Sequence, residues 1–98
     1  MPAHDWPFDQ APNVAAITTR QVLDDGLPIL RVTHYSDDYA WAFVCGTTDI
    51  TEDGRLIAME EVLRIDPTLR SIADLPPGWT ARRGRVGGEW RRFSNEHA

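Results

Sequence analysis

The chain has 98 residues, a formal net charge of −5 and 42% hydrophobic residues. This composition is ordinary for one globular domain, and the length leaves room for a single hydrophobic core, which argues against a second domain and against intrinsic disorder. The longest apolar run, residues 40–45, has six residues and is too short to span a membrane as a helix.

Cys45 is the only cysteine, which excludes an internal disulfide and a zinc site built from several cysteines. The three histidines and the acidic residues match no metal-binding spacing, so we predict no metal site. The chain does not open with a basic segment followed by an apolar stretch, so the sequence predicts no secretory signal and a cytoplasmic protein.

Charge is distributed unevenly along the chain. Residues 1–53 contain nine acidic and two basic residues, whereas residues 54–98 contain six acidic residues and eight arginines. An acidic surface attracts a basic partner, but the two halves could also neutralise each other in the folded protein. Both interpretations stay open at this point.

Residues 1–13 are predicted to form an extended N-terminal arm, because the three prolines in this span oppose a helix or a central strand. The arm includes Trp6 and Phe8, whose rings are costly to leave in water. We therefore expect the arm to pack on the domain or on a second chain, which leaves a homodimer open. A single domain is expected over residues 14–93, followed by a tail over residues 94–98.

Three strands are predicted in the first half of the domain, at residues 14–18, 29–34 and 40–45. In the third strand, Trp41, Phe43 and Cys45 alternate with small apolar residues, so both faces of the strand are apolar. Two apolar faces are typical of a strand at the centre of a sheet. We therefore predict Trp41, Phe43 and Cys45 as core residues.

Two short helices are predicted next, because apolar residues recur at intervals of three and four over residues 59–63 and 69–73. Asp66 stands directly before Pro67 at the junction of the two segments. Asp is a favoured capping residue and Pro is favoured in a first helical turn. The pair therefore predicts that Asp66 caps the second helix.

Residues 79–85 and 89–93 are predicted to form a hairpin that turns at residues 87–88, with Trp79 and Trp90 in the core. The order of elements predicts an α+β fold with a mainly antiparallel sheet of about five strands. The two short helices lie between strands three and four in this scheme.

Cys45 and His34 are a candidate for nucleophilic catalysis, since a thiol needs an adjacent base and the two predicted strands are neighbours. Cys45 shares a strand face with Trp41 and Phe43, however, and a cysteine in such a position is usually a small hydrophobic core residue. We therefore predict no catalytic residues and keep a small Cys/His-dependent hydrolase as an alternative.

The C-terminal hairpin supports a second alternative, because its arginines are interleaved with Trp79, Trp90 and Phe93. Basic and aromatic side chains together bind single-stranded nucleic acid through phosphates and stacked bases. The chain as a whole is acidic, which argues against a nucleic-acid partner and favours salt bridges. The arginines concerned are Arg82, Arg83, Arg85, Arg91 and Arg92.

The predicted hairpin between the second and third strands carries Tyr35, Asp37, Asp38 and Tyr39. Exposed aromatic rings beside carboxylates are typical of a protein interface. We predict that this surface binds another protein and that the loop after the third strand extends it. The loop residues concerned are Asp49, Glu52 and Asp53.

Four segments within residues 8–93 form a combined pattern. They are Pro12-Asn13-Val14-Ala15 running into Thr18-Thr19-Arg20, His34…Asp37-Asp38…Trp41-Ala42-Phe43…Gly46, Asp66-Pro67 with its following helix, and Leu75-Pro76-Pro77-Gly78-Trp79. The pattern resembles a family of small bacterial domains of unknown function, part of which is grouped with immunity proteins of polymorphic toxin systems. The resemblance implies a cytoplasmic α+β domain, without cofactor or catalytic residues, that inhibits a toxin by binding it. It also leads us to expect a glycine after the two aspartates, where this chain has Tyr39.

Overall fold

The computed structural model describes residues 6–46 and 53–95, and within them six strands form one sheet. The strands are β1 (Ala15–Thr19), β2 (Arg31–His34), β3 (Trp41–Val44), β4 (Gly54–Ala58), β5 (Trp79–Arg82) and β6 (Arg91–Ser94). Their spatial order is β4-β1-β3-β2-β5-β6. All neighbouring pairs are antiparallel except β1 and β3, which run parallel.

Three short helices complete the described part of the chain. They are α1 (Arg20–Leu23), α2 (Met59–Ile65) and a 3-10 helix (Pro67–Ile72). The predicted α+β fold with a mainly antiparallel sheet is therefore confirmed.

The hydrophobic core lies between one face of the sheet and the helices. Buried residues of α1, α2 and the 3-10 helix belong to the same cluster as Val32, Phe43 and Ala81 of the sheet. Side chains alternate along a strand, so the neighbouring residues of β2, β3 and β5 point to the other face. None of the helices in residues 6–46 and 53–95 contributes to that second face, which we call the open face.

β3 lies in the interior of the sheet, between β1 and β2, as its two apolar faces predict. All four of its residues are buried, and so is Cys45 directly after it. Trp41, Phe43 and Cys45 belong to the core cluster. Trp79 and Trp90 are partly buried and pack against that cluster.

β4 corrects the predicted strand count of about five. It pairs with β1 alone and forms an edge of the sheet. Leu56 at its centre is 74% exposed, and Gly54 and Arg55 are exposed as well. An exposed edge strand does not need the alternating apolar pattern by which strands are recognised in a sequence, and the prediction therefore missed it.

The C-terminal hairpin is also shorter than predicted. β5 ends at Arg82 and β6 begins at Arg91, so residues 83–90 form a connection rather than strand and tight turn. Arg83 follows directly: its backbone N–H donates to the Leu30 carbonyl at 3.0 Å, and its side chain is buried.

The Arg83 guanidinium joins three parts of the chain at a site where its side chain is only 1% exposed. Its Nη2 lies 2.7 Å from Asp66 Oδ2, and its Nη1 donates to Thr68 Oγ1 at 2.9 Å. Nε and Nη2 both donate to the Ile29 carbonyl oxygen, and the group lies 4.3 Å from the centre of the Trp90 ring. The buried guanidinium therefore has a carboxylate partner and three further hydrogen bonds.

Asp66 caps the 3-10 helix, as its position before Pro67 predicts. Its Oδ1 accepts hydrogen bonds from the Thr68 backbone N–H at 3.0 Å and from Thr68 Oγ1 at 2.6 Å. The other carboxylate oxygen holds Arg83. One side chain thus fixes both the start of the helix and its attachment to the sheet.

The described part of the N-terminal arm packs on its own domain. Phe8 is buried, and its ring centre lies 5.0 Å from that of Trp41 and 6.0 Å from that of Phe43, edge-on in both cases. Trp6 packs against Phe8 at 5.6 Å. Because these rings pack on the domain, the described part of the arm is held in place without forming a helix or strand.

Replacing Arg83 by Leu is expected to destabilise the domain by roughly 3–5 kcal/mol, because a buried carboxylate would lose its partner. Urea denaturation of the wild type and the variant measures this loss. Arg64→Leu is the matched control: Arg64 forms an exposed pair with Glu61, and its removal is expected to cost less than about 1 kcal/mol. Equal losses in the two variants would contradict the role assigned to Arg83.

Candidate interaction surface

Residues 35–39, which we call the hairpin tip, connect β2 to β3 and form an exposed turn. The Tyr35 N–H donates to the Ala40 carbonyl at 2.9 Å and closes the hairpin. Asp37 Oδ1 accepts from the Asp38 N–H, and Asp38 Oδ1 accepts from the Ala40 N–H, both at 3.0 Å. The two aspartates therefore build the turn with one carboxylate oxygen each.

The tip exposes two tyrosine rings beside these carboxylates. Tyr35 is 39% exposed and Tyr39 is 53% exposed, and Asp37 and Asp38 are exposed as well. The structure thus brings together the four predicted tip residues on one surface. On this surface, two large amphipathic rings lie beside two negative charges.

Tyr39 has a φ of +60°, and within residues 6–46 and 53–95 no other residue except glycine has a positive φ. The left-handed conformation costs an L-residue roughly 1–2 kcal/mol relative to glycine. The resemblance leads us to expect glycine at this position, and the backbone does adopt the conformation that glycine favours. The turn therefore has a left-handed backbone conformation at Tyr39, which lowers the folding stability of the domain.

A buried histidine supports the base of the tip. His34 is 2% exposed and its ring stacks on Trp41 with centres 4.0 Å apart. His34 Nδ1 lies 2.7 Å from the Leu75 carbonyl oxygen. Because a carbonyl only accepts hydrogen bonds, Nδ1 carries a proton.

Asp9 connects this base to the N-terminal arm. Its Oδ1 accepts from Trp41 Nε1 at 3.0 Å, and its Oδ2 lies 3.3 Å from His34 Nε2 without the alignment of a hydrogen bond. Gln10 Nε2 also donates to the Tyr39 carbonyl at 2.9 Å. The arm thus contacts both the base and the backbone of the tip.

The acidic loop residues do not extend this surface in the described structure. Asp49 and Glu52 lie outside the described residues. Asp53 precedes Gly54, which pairs with Thr19 at the end of β1. Since β1 runs parallel to β3, this end lies away from the hairpin tip.

Asp53 is engaged within its own domain. Its Oδ2 accepts from Gln21 Nε2 at 2.7 Å, and Arg20 Nε lies 3.4 Å from its Oδ1. The hydrogen bond from Gln21, with the positive charges of Arg20 and Arg55, lowers the pKa of Asp53 below 3.8. The carboxylate therefore attaches the start of β4 to α1.

His34 and Cys45 are far apart. The hairpin register pairs His34 with Trp41, at the tip end, and Arg31 with Val44, at the opposite end. Cys45 lies four residues beyond Trp41, about 13 Å along a strand that rises ~3.3 Å per residue. The two side chains cannot exchange a proton directly, so the described geometry does not form the nucleophile and base of the alternative hydrolase.

The arginines of the C-terminal hairpin are divided between the two faces of the sheet. On the helix side, Arg92 Nη2 donates to Asp74 Oδ1 at 2.8 Å, and Trp90 Nε1 donates to Ser71 Oγ at 3.1 Å. Arg82 and Phe93 lie on the open face, where the guanidinium is 6.0 Å from the ring centre. Adjacent arginines of one strand point to opposite faces because side chains alternate along a strand.

Comparison of the chain with protein-family models, with curated proteins and with solved structures finds no match. Within the described ranges, no three acidic, histidine or cysteine side chains come together as metal ligands. The helices found there are all too short or too polar to cross a membrane.

Tyr39→Gly is expected to stabilise the domain by up to about 1 kcal/mol, because glycine adopts the left-handed conformation without steric cost. Tyr35→Gly is the matched control, since it removes an equivalent ring where φ is not positive, and it is expected to destabilise. Urea denaturation compares both with the wild type. A loss of stability in Tyr39→Gly would show that the ring contributes more than the backbone conformation costs.

Gln21→Met is expected to raise the pKa of Asp53 toward 3.8, since it removes the hydrogen bond that lowers this pKa most. The interactions that lower the pKa of Asp53 stabilise the folded protein above pH 3.8. This stabilisation is lost as the pH falls through the pKa that Asp53 has in the folded protein. The variant should therefore lose less stability than the wild type on acidification below pH 3.8. NMR titration of the Asp53 carboxyl carbon measures the pKa directly, with Asp38→Asn as a control that should leave it in place.

Proposed function

We propose that this protein is a non-enzymatic binding module whose hairpin tip contacts a basic protein partner. The observation that carries the proposal is Tyr39, an exposed aromatic residue in a conformation that disfavours every residue except glycine. Strained residues cluster at functional sites, where the strain is compensated by another requirement. More than half of the Tyr39 side chain is exposed, so burial gives little reason for a tyrosine at this position.

The chemistry of the tip fits a protein partner. Tyrosine is enriched at the centres of protein interfaces because its ring supplies contact area and its hydroxyl a hydrogen bond. Asp37 and Asp38 are already fixed by turn hydrogen bonds, so little conformational freedom is lost on binding. Their negative charges, in a chain of net charge −5, attract a partner with a basic surface.

Within this proposal, the partner is a bacterial toxin domain of basic charge, and the protein acts in the cytoplasm as its immunity protein. An inhibitor of this type needs a rigid complementary surface and no catalytic group. The tip meets that need, because His34, Trp41 and Asp9 hold its base by stacking and hydrogen bonds. The separation of His34 from Cys45 also favours a binding protein over a Cys/His-dependent hydrolase.

The test is affinity capture from the native host with the tagged domain as bait. Asp37→Asn with Asp38→Asn removes both charges and keeps the oxygen atoms that accept the turn hydrogen bonds. Asp24→Asn with Glu60→Gln is the matched control, since it removes two exposed charges elsewhere. We expect one basic protein to bind the wild type and the control stoichiometrically, and to bind the tip variant at least ten-fold more weakly.

Tyr39→Gly separates binding from stability in the same assay. The proposal predicts that this variant is at least as stable as the wild type but binds the captured partner more weakly. If the partner binds both tip variants as tightly as the wild type, the hairpin tip is not the contact surface.

A further inference from the structure

Two hydrogen-bond acceptors face each other beneath the hairpin tip. His34 Nδ1 donates its proton to the Leu75 carbonyl oxygen, so a neutral ring has a bare lone pair at Nε2. Asp9 Oδ2 lies 3.3 Å from this Nε2, and an ionised carboxylate can only accept hydrogen bonds. A neutral His34 beside an ionised Asp9 would therefore direct two lone pairs at each other.

The surroundings of His34 Nε2 offer no relief from this conflict. The atom is closed off from solvent, and within residues 6–46 and 53–95 no other group forms a hydrogen bond with it. One face of the ring is covered by the Trp41 indole, at 4.0 Å between ring centres. A buried acceptor without a donor is costly, so the contact is unfavourable as long as Nε2 carries no proton.

One additional proton changes the sign of the contact. An imidazolium carries a proton on both ring nitrogens, so Nδ1 keeps its hydrogen bond to Leu75 while the Nε2–H faces the Asp9 carboxylate. A positive ring beside a carboxylate at 3.3 Å forms a charge-assisted contact, which is stronger than a neutral one. The same two residues thus attract or repel each other according to the protonation of the ring.

Asp9 is the carboxylate that can act on this ring in the described structure. Within residues 6–46 and 53–95, no other carboxylate lies within 4.0 Å of a His34 ring nitrogen. The segment before β5 carries Asp74, which is exposed and pairs with Arg92 at 2.8 Å. The hairpin tip carries Asp37 and Asp38, which accept backbone N–H groups of the turn. β3 has no charged side chain.

We propose that Asp9 and His34 form a proton-dependent latch, which fastens the N-terminal arm to the base of the hairpin tip. The latch is closed while His34 Nε2 carries a proton, and it loosens when that proton is lost. Imidazole groups change charge between about pH 5 and 8, so the latch responds within the physiological range. Gln10 of the same arm donates to the Tyr39 carbonyl, so loosening of the arm also reaches the backbone of the tip.

The direction of the pH dependence follows from linkage. Docking of the arm favours the protonated ring, so docking is accompanied by proton uptake and is strongest at low pH. A rise in pH removes the proton and weakens the attachment of the arm. Phe8 remains packed against Trp41, so we expect more frequent local opening of the arm rather than unfolding of the domain. This inference does not depend on any partner of the tip.

NMR spectroscopy of the whole chain tests the proposal. The substitutions His4→Asn and His97→Asn, both outside the described residues, leave His34 as the only imidazole. The nitrogen chemical shifts of the ring then report whether Nε2 carries a proton. We expect Nε2 to be protonated at pH 5.5 and to lose its proton by pH 9.

The Trp41 indole reports the attachment of the arm in the same spectra, because its Nε1–H donates to Asp9 Oδ1 at 3.0 Å. Protection of this proton against exchange with solvent should fall about five-fold or more between pH 5.5 and pH 9, since the arm loses a charge-assisted contact. The exchange rates are first corrected for the intrinsic dependence of indole exchange on pH.

Asp9→Asn should make the latch independent of pH. The amide retains an oxygen that accepts from Trp41, and its N–H group can donate to the bare Nε2 of a neutral His34. Protection of the Trp41 indole should therefore change less than about two-fold over the same pH range. Asp74→Asn is the matched control: it removes an exposed carboxylate beside Leu75 and should retain the pH response of the wild type.

Three results would overturn the proposal. The first is a His34 Nε2 that stays without a proton at pH 5.5, which is measured with both Asp9 and His34 in place and so does not depend on how Asp9→Asn folds. The second is indole protection that does not change with pH in the wild type. The third is an equal pH dependence in the wild type and in Asp9→Asn.

Discussion

The buried pair of Arg83 and Asp66 is the contact on which the rest of the fold depends. It connects Ile29, two residues before β2, with the start of the 3-10 helix and with the connection between β5 and β6. β5 ends at Arg82, and the Arg83 side chain lies on the helix side of the sheet, where it contacts Asp66 and Thr68. Because side chains alternate along a strand, Arg82 points to the open face.

A second set of contacts gives the hairpin tip its rigidity. Phe8 packs edge-on against Trp41, His34 stacks on the same indole, and Asp9 accepts its N–H. The described residues of the N-terminal arm therefore belong to the structure that supports the tip, although they form no strand or helix. The exposed carboxylates of Asp37 and Asp38 lie at one end of β2 and β3. Arg31, Arg82 and Arg91 are aligned in register at the other end of β2.

Features set by local chemistry could be predicted from the sequence. The capping role of Asp66 and the core position of Trp41 and Phe43 both follow from neighbouring residues. Features set by distant pairing could not be predicted in the same way. The parallel pairing of β1 with β3 directs Asp53 away from the hairpin tip, and the β2–β3 register separates His34 from Cys45. The burial of Arg83 was missed because its partner is 17 residues away and arginine is normally an exposed residue.

The edge strand β4 has a consequence for how the protein must exist in solution. Outward-facing backbone groups of an edge strand can pair with a strand of any other chain, and Leu56, exposed at the centre of β4, adds an apolar contact beside them. Arg55 is the only charged side chain in the strand, and no proline interrupts it. Charge and proline are the usual means by which natural sheets prevent unwanted strand addition. Within its own five residues, β4 therefore carries little protection of this kind.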